Sequence, residues 1–258
     1  VTPYYADDLV TLYHGRCEDV LPTLGAFDLI FTSPPYNQGI SPSGGIERQA
    51  WYAPSRTGNG AKFADGYGTH DDAMPPHEYE AWQRQVILML WDHTSAQGAV
   101  FYNHKPRIVH KTYWTPLVLN PGLPLRQVIV WARGGGMGLG DAHYAVAQEW
   151  LLVFAKPGWR LVDRGASAGG DVWRTGYVDE TDNPHPAAFP VALPYRAMRD
   201  TIPGPVLDPF CGSGSTLVAA KRAGRVAVGV ELEERWCELT ANRCRAIAGS
   251  QEVLGFPA

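Results

Sequence analysis

The chain has 258 residues, a formal net charge of −4, 45% hydrophobic and 19% charged residues. That length and composition fit one large α/β domain, spanning 1–258, and exclude a disordered chain. No apolar run is long enough to span a bilayer, the first residues lack a signal-peptide pattern, and Cys17, Cys211, Cys237 and Cys244 show neither CxxC spacing nor paired histidines; the expectation is a cytoplasmic protein without metal or disulfides.

In chain order, residues 9–15 read as a strand and 18–22 as a short helix. Residues 27–31 form a second, mostly apolar strand that runs into Thr32-Ser33-Pro34-Pro35-Tyr36-Asn37. The two prolines end the strand, fix their own φ and offer only carbonyl acceptors. Ser33 adds a hydroxyl and Tyr36 a flat ring with a polar tip. A rigid group of acceptors beside a stacking surface, at the C-terminal end of a strand, suits a planar substrate bearing an exocyclic amine.

Residues 38–76 are rich in Gly, Ser and Pro, with Trp51, Tyr52, Phe63 and Tyr67 among them. So long an irregular stretch reads as a mobile loop beside the strand end or a surface insertion. Helical spacing of Tyr79, Trp82, Val86, Met89 and Leu90 predicts a helix over 77–94 with that stripe in the core. A strand over 98–103, a helical segment over 107–118 and strands over 125–132 and 149–155 follow. The glycine-rich stretch 134–140 opens no apolar helix and reads as a flexible loop.

Between His93 and Gly140 there is no acidic residue, while Lys105, Arg107, Lys111, Arg126 and Arg133 all fall there. Either this is a chance solvated face or it is a basic wall toward phosphates, which net charge alone does not exclude. Residues 157–184 show no periodicity and mix Trp159, Trp173 and Tyr177 with Arg160, Arg164 and Arg174, a composition suited to phosphate and base contacts.

His185 and Phe189 precede a helix predicted over 191–200. The apolar strand Val206-Leu207-Asp208 then meets Pro209-Phe210-Cys211-Gly212-Ser213-Gly214-Ser215-Thr216, a tight glycine turn opening a helix. Free N–H groups at a helix start can hold a carboxylate. A strand over 226–230 ends in Glu231, placed as an acid that grips ribose hydroxyls in nucleoside-binding folds. Trp236 opens the last helix, with Leu239, Cys244 and Ile247 expected on its buried side.

The Ser33–Tyr36 block and the Asp208–Thr216 block, in that order, resemble motifs IV and I of the β group of DNA amino-methyltransferases, and the resemblance covers nearly the whole chain. It implies a seven-stranded, Rossmann-like S-adenosylmethionine-dependent fold with circularly ordered motifs. It implies Ser33, Pro34, Pro35 and Tyr36 as the catalytic group. It also implies Thr32, His185, Phe189, Asp208, Phe210, Cys211, Gly212, Ser213, Gly214, Thr216, Glu231 and Trp236 around S-adenosylmethionine, with Asp208 on the methionine ammonium directly or through water. Cys211 lies in the cofactor turn and is not expected to act as a nucleophile. Relatives carry an acid after a glycine like Gly15 for the adenine amino group; here Arg16 stands there, and Glu18 or Asp19 are the substitutes to weigh.

The resemblance further implies double-stranded DNA as partner, target recognition by 157–184, base flipping, and a homodimer and a cognate restriction endonuclease as candidate partners. Serine at the first motif position favours N4 of cytosine over N6 of adenine. An RNA or protein methyltransferase and an inactive DNA-binding relative are the rivals.

Overall fold

The computed structural model describes residues 1–37, 73–109, 111–133, 143–175, 183–185 and 187–247. Most of the expected mobile loop and the whole glycine-rich stretch 134–140 lie outside the described residues, as does Tyr177.

The first half of the chain contains β1 (Tyr5–Ala6), β2 (Val10–His14), α1 (Cys17–Val20), β3 (Phe27–Thr32), α2 (Pro76–Asp92), β4 (Thr94–His104), β5 (Arg107–Val109), β6 (Thr112–Trp114) and β7 (Leu125–Ala132). The second half contains β8 (Gln148–Ala155), α3 (Arg164–Ala168), β9 (Val172–Arg174), α4 (Ala192–Asp200), β10 (Val206–Asp208), α5 (Ser215–Arg222), β11 (Ala227–Glu231) and α6 (Glu234–Ile247). Among the described residues, nine strands form one sheet in the order β1-β2-β11-β10-β3-β4-β8-β7-β9. The expected seven-stranded sheet is its centre, β2 to β7; the short strands β1 and β9 extend it at either edge. β2, β11, β10, β3 and β4 run parallel, whereas β8 is antiparallel to both neighbours.

Alternation along the strands builds two cores, because successive side chains point to opposite faces. Leu29, Phe31, Ala99 and Phe101 face α4, α5 and α6, while Ile30, Val100 and Tyr102 face α2. α2 starts with Pro75 as N-cap and Pro76 in its first turn, where a missing N–H costs nothing. It buries Tyr79, Gln83, Val86, Ile87 and Leu90. Gln83 is polar inside that stripe and is satisfied by the Tyr102 hydroxyl and the Pro35 carbonyl.

The expected helical segment 107–118 is instead the hairpin β5–β6 followed by a short 3-10 turn, Pro116–Leu119. Ile108, Val109, Thr112 and Tyr113 are β-branched or aromatic and prefer a pleated surface. Lys111 reverses the chain at φ 64°, which no helix interior tolerates. On α6 the buried side is Cys237, Thr240, Ala241 and Cys244; Leu239 and Ile247 flank it, half-buried. Among the described residues no helix is long and apolar enough to cross a membrane.

Candidate active site

β10 and β3 are parallel neighbours, and the chain leaves them for helices on opposite faces, α5 and α2. Such a point in an open α/β sheet leaves a crevice beyond the strand ends. Here that crevice is a cleft partly open to solvent. Ser33, Pro34, Pro35 and Tyr36 line one part of it, and Phe210, Cys211, Gly212, Ser213, Glu231, Trp236, His185 and Phe189 line another. Two blocks far apart in sequence, with 176 positions from Thr32 to Asp208, thus share one cavity.

The Ser33–Tyr36 segment is held from all sides. The Pro35 carbonyl accepts from the Tyr79 hydroxyl at 2.9 Å and from Gln83 Nε2 at 3.2 Å. Arg107 Nη1 donates to the carbonyls of Tyr36 at 2.5 Å and Asn37 at 3.2 Å. Its guanidinium lies 4.7 Å from the Trp114 ring centroid, so the hairpin steadies the arginine that steadies the loop. Asn37 adopts φ 54° and clasps Met74, accepting from its N–H at 2.7 Å and donating to its carbonyl at 2.8 Å.

The Tyr36 ring stacks on His104, with centroids 4.4 Å apart. His104 is fully buried, and burial pushes its pKa down to about 3, which keeps the stack neutral. The Tyr36 hydroxyl bonds to Ser33 Oγ at 2.7 Å and donates to Glu149 Oε2 at 3.0 Å. Glu149 also accepts from Asn103 Nδ2 at 2.9 Å and pairs with Arg133 Nη1 at 2.9 Å. Tyr79, Gln83, Asn103, His104 and Glu149 were not singled out for the site from sequence. The available signal was an acid opening the apolar strand EWLLVFA, but its neighbours follow only from the sheet order.

At the glycine turn, Gly212 and Gly214 adopt φ 50° and 78°. A Cβ on Gly212 would lie 2.9 Å from His185 Nε2, so glycine is needed there for space as well as conformation. His185 packs edge-on against Trp236 at 4.6 Å, and burial pushes its pKa down to about 3. Glu231 Oε2 accepts from the Gly212 N–H and Oε1 from the Glu233 N–H, each at 2.8 Å. Burial raises its pKa to about 7 against those bonds. Burial also drives the Cys211 thiol well above its usual range, which removes the thiolate a nucleophile needs.

Thr32, Asp208, Gly214 and Thr216 do not line the cleft. Asp208 is fully buried; it accepts from Thr32 Oγ1 at 2.8 Å, Thr216 Oγ1 at 2.6 Å and the Phe210 N–H at 3.2 Å. Of the two expected routes to the methionine ammonium, direct or through water, this placement behind the cleft lining favours the one through water, while the carboxylate also fixes the turn. Burial raises its pKa to about 6. Arg16 and Glu18 both line the cleft, whereas Asp19 is exposed outside it. Glu18 Oε1 accepts from Trp82 Nε1 at 3.1 Å and lies 3.7 Å from Arg16 Nη2.

The basic residues divide into three groups, with Lys105 apart from all of them. Arg107 and Arg133 are internal braces, the latter's side chain only 10% exposed. Arg126 sits at the start of β7, where Leu125 pairs with Phe154, and Arg160 follows the end of β8; both lie at the rim opposite the cleft. Arg164, exposed in α3, follows Val162, whose N–H binds the Asp200 carbonyl at that same far end. Lys111 in the hairpin turn and Arg174 at the cleft-side end of β9, the edge strand four places from β3, are exposed. Lys105 is half-buried beside Arg133; burial first, and that neighbour second, lower its pKa. A single basic wall is therefore not what the fold builds.

A family model described as DNA methylase matches residues 27–242. Among curated relatives, the type II methyltransferase M.ScaI of Streptomyces caespitosus is 26% identical, with 96% of this chain and 85% of the relative aligned. The type II methyltransferase M2.DpnII of Streptococcus pneumoniae is 24% identical over 95% and 92% of the two chains. Among solved structures, the PvuII DNA methyltransferase (cytosine-N4-specific) superposes with a TM-score of 0.70 at 17% identity, covering 93% of this chain and 88% of the other. TTHA0409 of Thermus thermophilus, a putative DNA modification methylase complexed with S-adenosyl-L-methionine, gives 0.61 at 23% identity, covering 93% and 96%. At such identities the superpositions establish the fold, while the family match extends over most of the chain: it belongs to the DNA methylases of the N6 and N4 amino-methyltransferase family.

Proposed function

We propose that this DNA methylase transfers a methyl group from S-adenosylmethionine to the exocyclic N4 of a cytosine flipped out of duplex DNA. The observation that carries the reading is the single cleft shared by the Ser33–Tyr36 acceptors and the glycine turn with Glu231. The residues present fit the donor. Both Glu231 oxygens keep a lone pair beyond their backbone bonds for ribose hydroxyls. α5 opens beside the cleft with first-turn N–H groups that suit a carboxylate. Glu18 supplies the acid that Arg16 displaces. When bound, S-adenosylmethionine supplies a sulfonium methyl that the amine lone pair attacks, the S–CH3 electrons returning to sulfur.

The chain's own work is positioning and charge. Ser33 Oγ and the Pro34 carbonyl accept the two amine hydrogens, which turns the nitrogen lone pair out of conjugation with the ring. The Tyr36 ring, backed by neutral His104, gives the flipped base a flat wall. After transfer, the positively charged nitrogen gives one proton to water. Orientation of this kind supplies much of the acceleration. Lys111 and Arg174, exposed and not at the rim opposite the cleft, are the basic residues proposed to meet phosphates, and part of 157–184 remains the candidate for target recognition.

The test is methylation of duplex DNA, RNA and protein with labelled S-adenosylmethionine, followed by nucleoside analysis of labelled DNA. N4-methylcytosine is expected. N6-methyladenine would overturn the choice of base, and label only in RNA or protein would overturn the substrate.

A further inference from the structure

We infer that Glu149, acting through Tyr36, sets the direction of the Ser33 hydroxyl so that its lone pairs face the target amine. The inference rests on the proposed role of Ser33 and adds a positioning residue from a strand two places away in the sheet. The order β3-β4-β8 puts the N-terminal end of β8 beside the loop that follows β3.

Donor and acceptor roles along the chain of bonds are fixed from the Glu149 end. Arg133 Nη1 and Asn103 Nδ2 only donate, and both meet the Glu149 carboxylate at 2.9 Å. Glu149 is 7% exposed, so these groups and Tyr36 dominate its surroundings. A carboxylate serving two donors accepts from the Tyr36 hydroxyl as well, at 3.0 Å. With its proton directed at Glu149, the tyrosine oxygen can take part in the 2.7 Å contact with Ser33 only as acceptor. Ser33 therefore donates to Tyr36, and what remains on Oγ is lone pairs. An amine hydrogen needs an acceptor there. A Ser33 proton turned toward the amine would repel it.

This explains why the motif position is tyrosine in a site whose stacking demand a phenylalanine would satisfy. It also gives Arg133 a role apart from phosphates: it holds Glu149 in place from the side away from Tyr36.

The test compares single-turnover methyl transfer on duplex DNA at saturating cofactor for wild type, Glu149→Gln, Ser33→Ala and the double variant. Losing a hydrogen bond to a charged group at the reacting centre should slow Glu149→Gln about tenfold or more when Ser33 is present. Added to Ser33→Ala, the same substitution should change the rate by less than about twofold, because no hydroxyl is left to direct. Cofactor affinity, read by calorimetry, should stay at the wild-type value. Should Glu149→Gln fail to fold, Tyr36→Phe carries the same comparison, since it cuts the chain between Glu149 and Ser33. No slowing in the presence of Ser33, or equal slowing with and without its hydroxyl, overturns the role of Glu149 while leaving Ser33 in place. A wild-type rate for Ser33→Ala overturns the Ser33 reading itself, and this inference with it.

Discussion

The Thr32 hydroxyl donates to Asp208 Oδ1 at 2.8 Å, joining the ends of β3 and β10 across the middle of the sheet. The same carboxylate takes the Thr216 hydroxyl and the Phe210 N–H. One buried acid thus ties the Ser33–Tyr36 side of the cleft to the glycine turn. Its loss should be read first as stability. Asp208→Ala leaves three buried donors without an acceptor and should lower unfolding free energy by roughly 1–3 kcal/mol or more in urea titration. Asp208→Asn keeps an acceptor of the same shape and should lose less. Equal stability for all three proteins would remove the lock from the account.

Glu231 makes a pH-dependent prediction. Burial raises its carboxyl to about 7, so near neutrality the free protein holds it partly protonated. Ribose hydroxyls donate to the charged form and favour it. Cofactor affinity should therefore rise as pH increases through about 7 and level off above it. Glu231→Gln should bind more weakly, by roughly 1.5–3 kcal/mol at about pH 8, and its affinity should be flat with pH. Calorimetry one unit either side of neutrality reads both effects. A wild-type affinity that falls with rising pH contradicts the ribose contact.

The split of the basic residues is open to a salt titration of DNA binding. Lys111→Glu and Arg174→Glu should weaken affinity for every sequence and flatten the salt dependence by about one unit each. Arg126→Glu and Arg160→Glu, at the opposite rim, should leave both affinity and slope unchanged. Arg107→Leu should act differently again, lowering methyl-transfer rate and thermal stability by releasing the Tyr36 and Asn37 carbonyls. If the far-rim variants carry the salt dependence, DNA lies elsewhere on the molecule.

At the other end of the sheet, Lys221 pairs with Asp7, which also accepts from the Tyr5 hydroxyl and the N–H groups of Leu9 and Val10. Burial alone would raise the Asp7 carboxyl, but Lys221 and those hydrogen bonds outweigh it and hold the pKa below the usual 3.8. A depressed carboxyl stabilises the fold above its unfolded pKa, and that contribution fades as pH falls below about 3.8. Asp7→Asn should lower stability by roughly 1–3 kcal/mol at neutral pH. The difference from wild type should shrink in urea titrations at about pH 3 and below. A gap that stays constant with pH would mean that packing, not charge, accounts for it.

The sequence by itself determined what local chemistry dictates. Two prolines must stop β3, two glycines must turn the chain before α5, and apolar strands of the right length must be buried. Those residues marked the two blocks that meet in the cleft, and the family those blocks resemble implied the fold class. What the tertiary structure decided depends on neighbours that no local pattern encodes. The hairpin at 107–114 replaced a helix because its residues pack on a pleated surface and its turn needs a positive φ at Lys111. Arg107 and Arg133 read as phosphate contacts because charge in a sequence carries no direction; in the fold each has an internal partner. Asp208 read only as a ligand contact, directly or through water; its bonds to Thr32 and Thr216 come from the packing of β3 and α5 against β10. Glu149 was visible only as an acid at the head of a strand, because its meaning comes from sheet order, which puts it one hydroxyl away from Ser33.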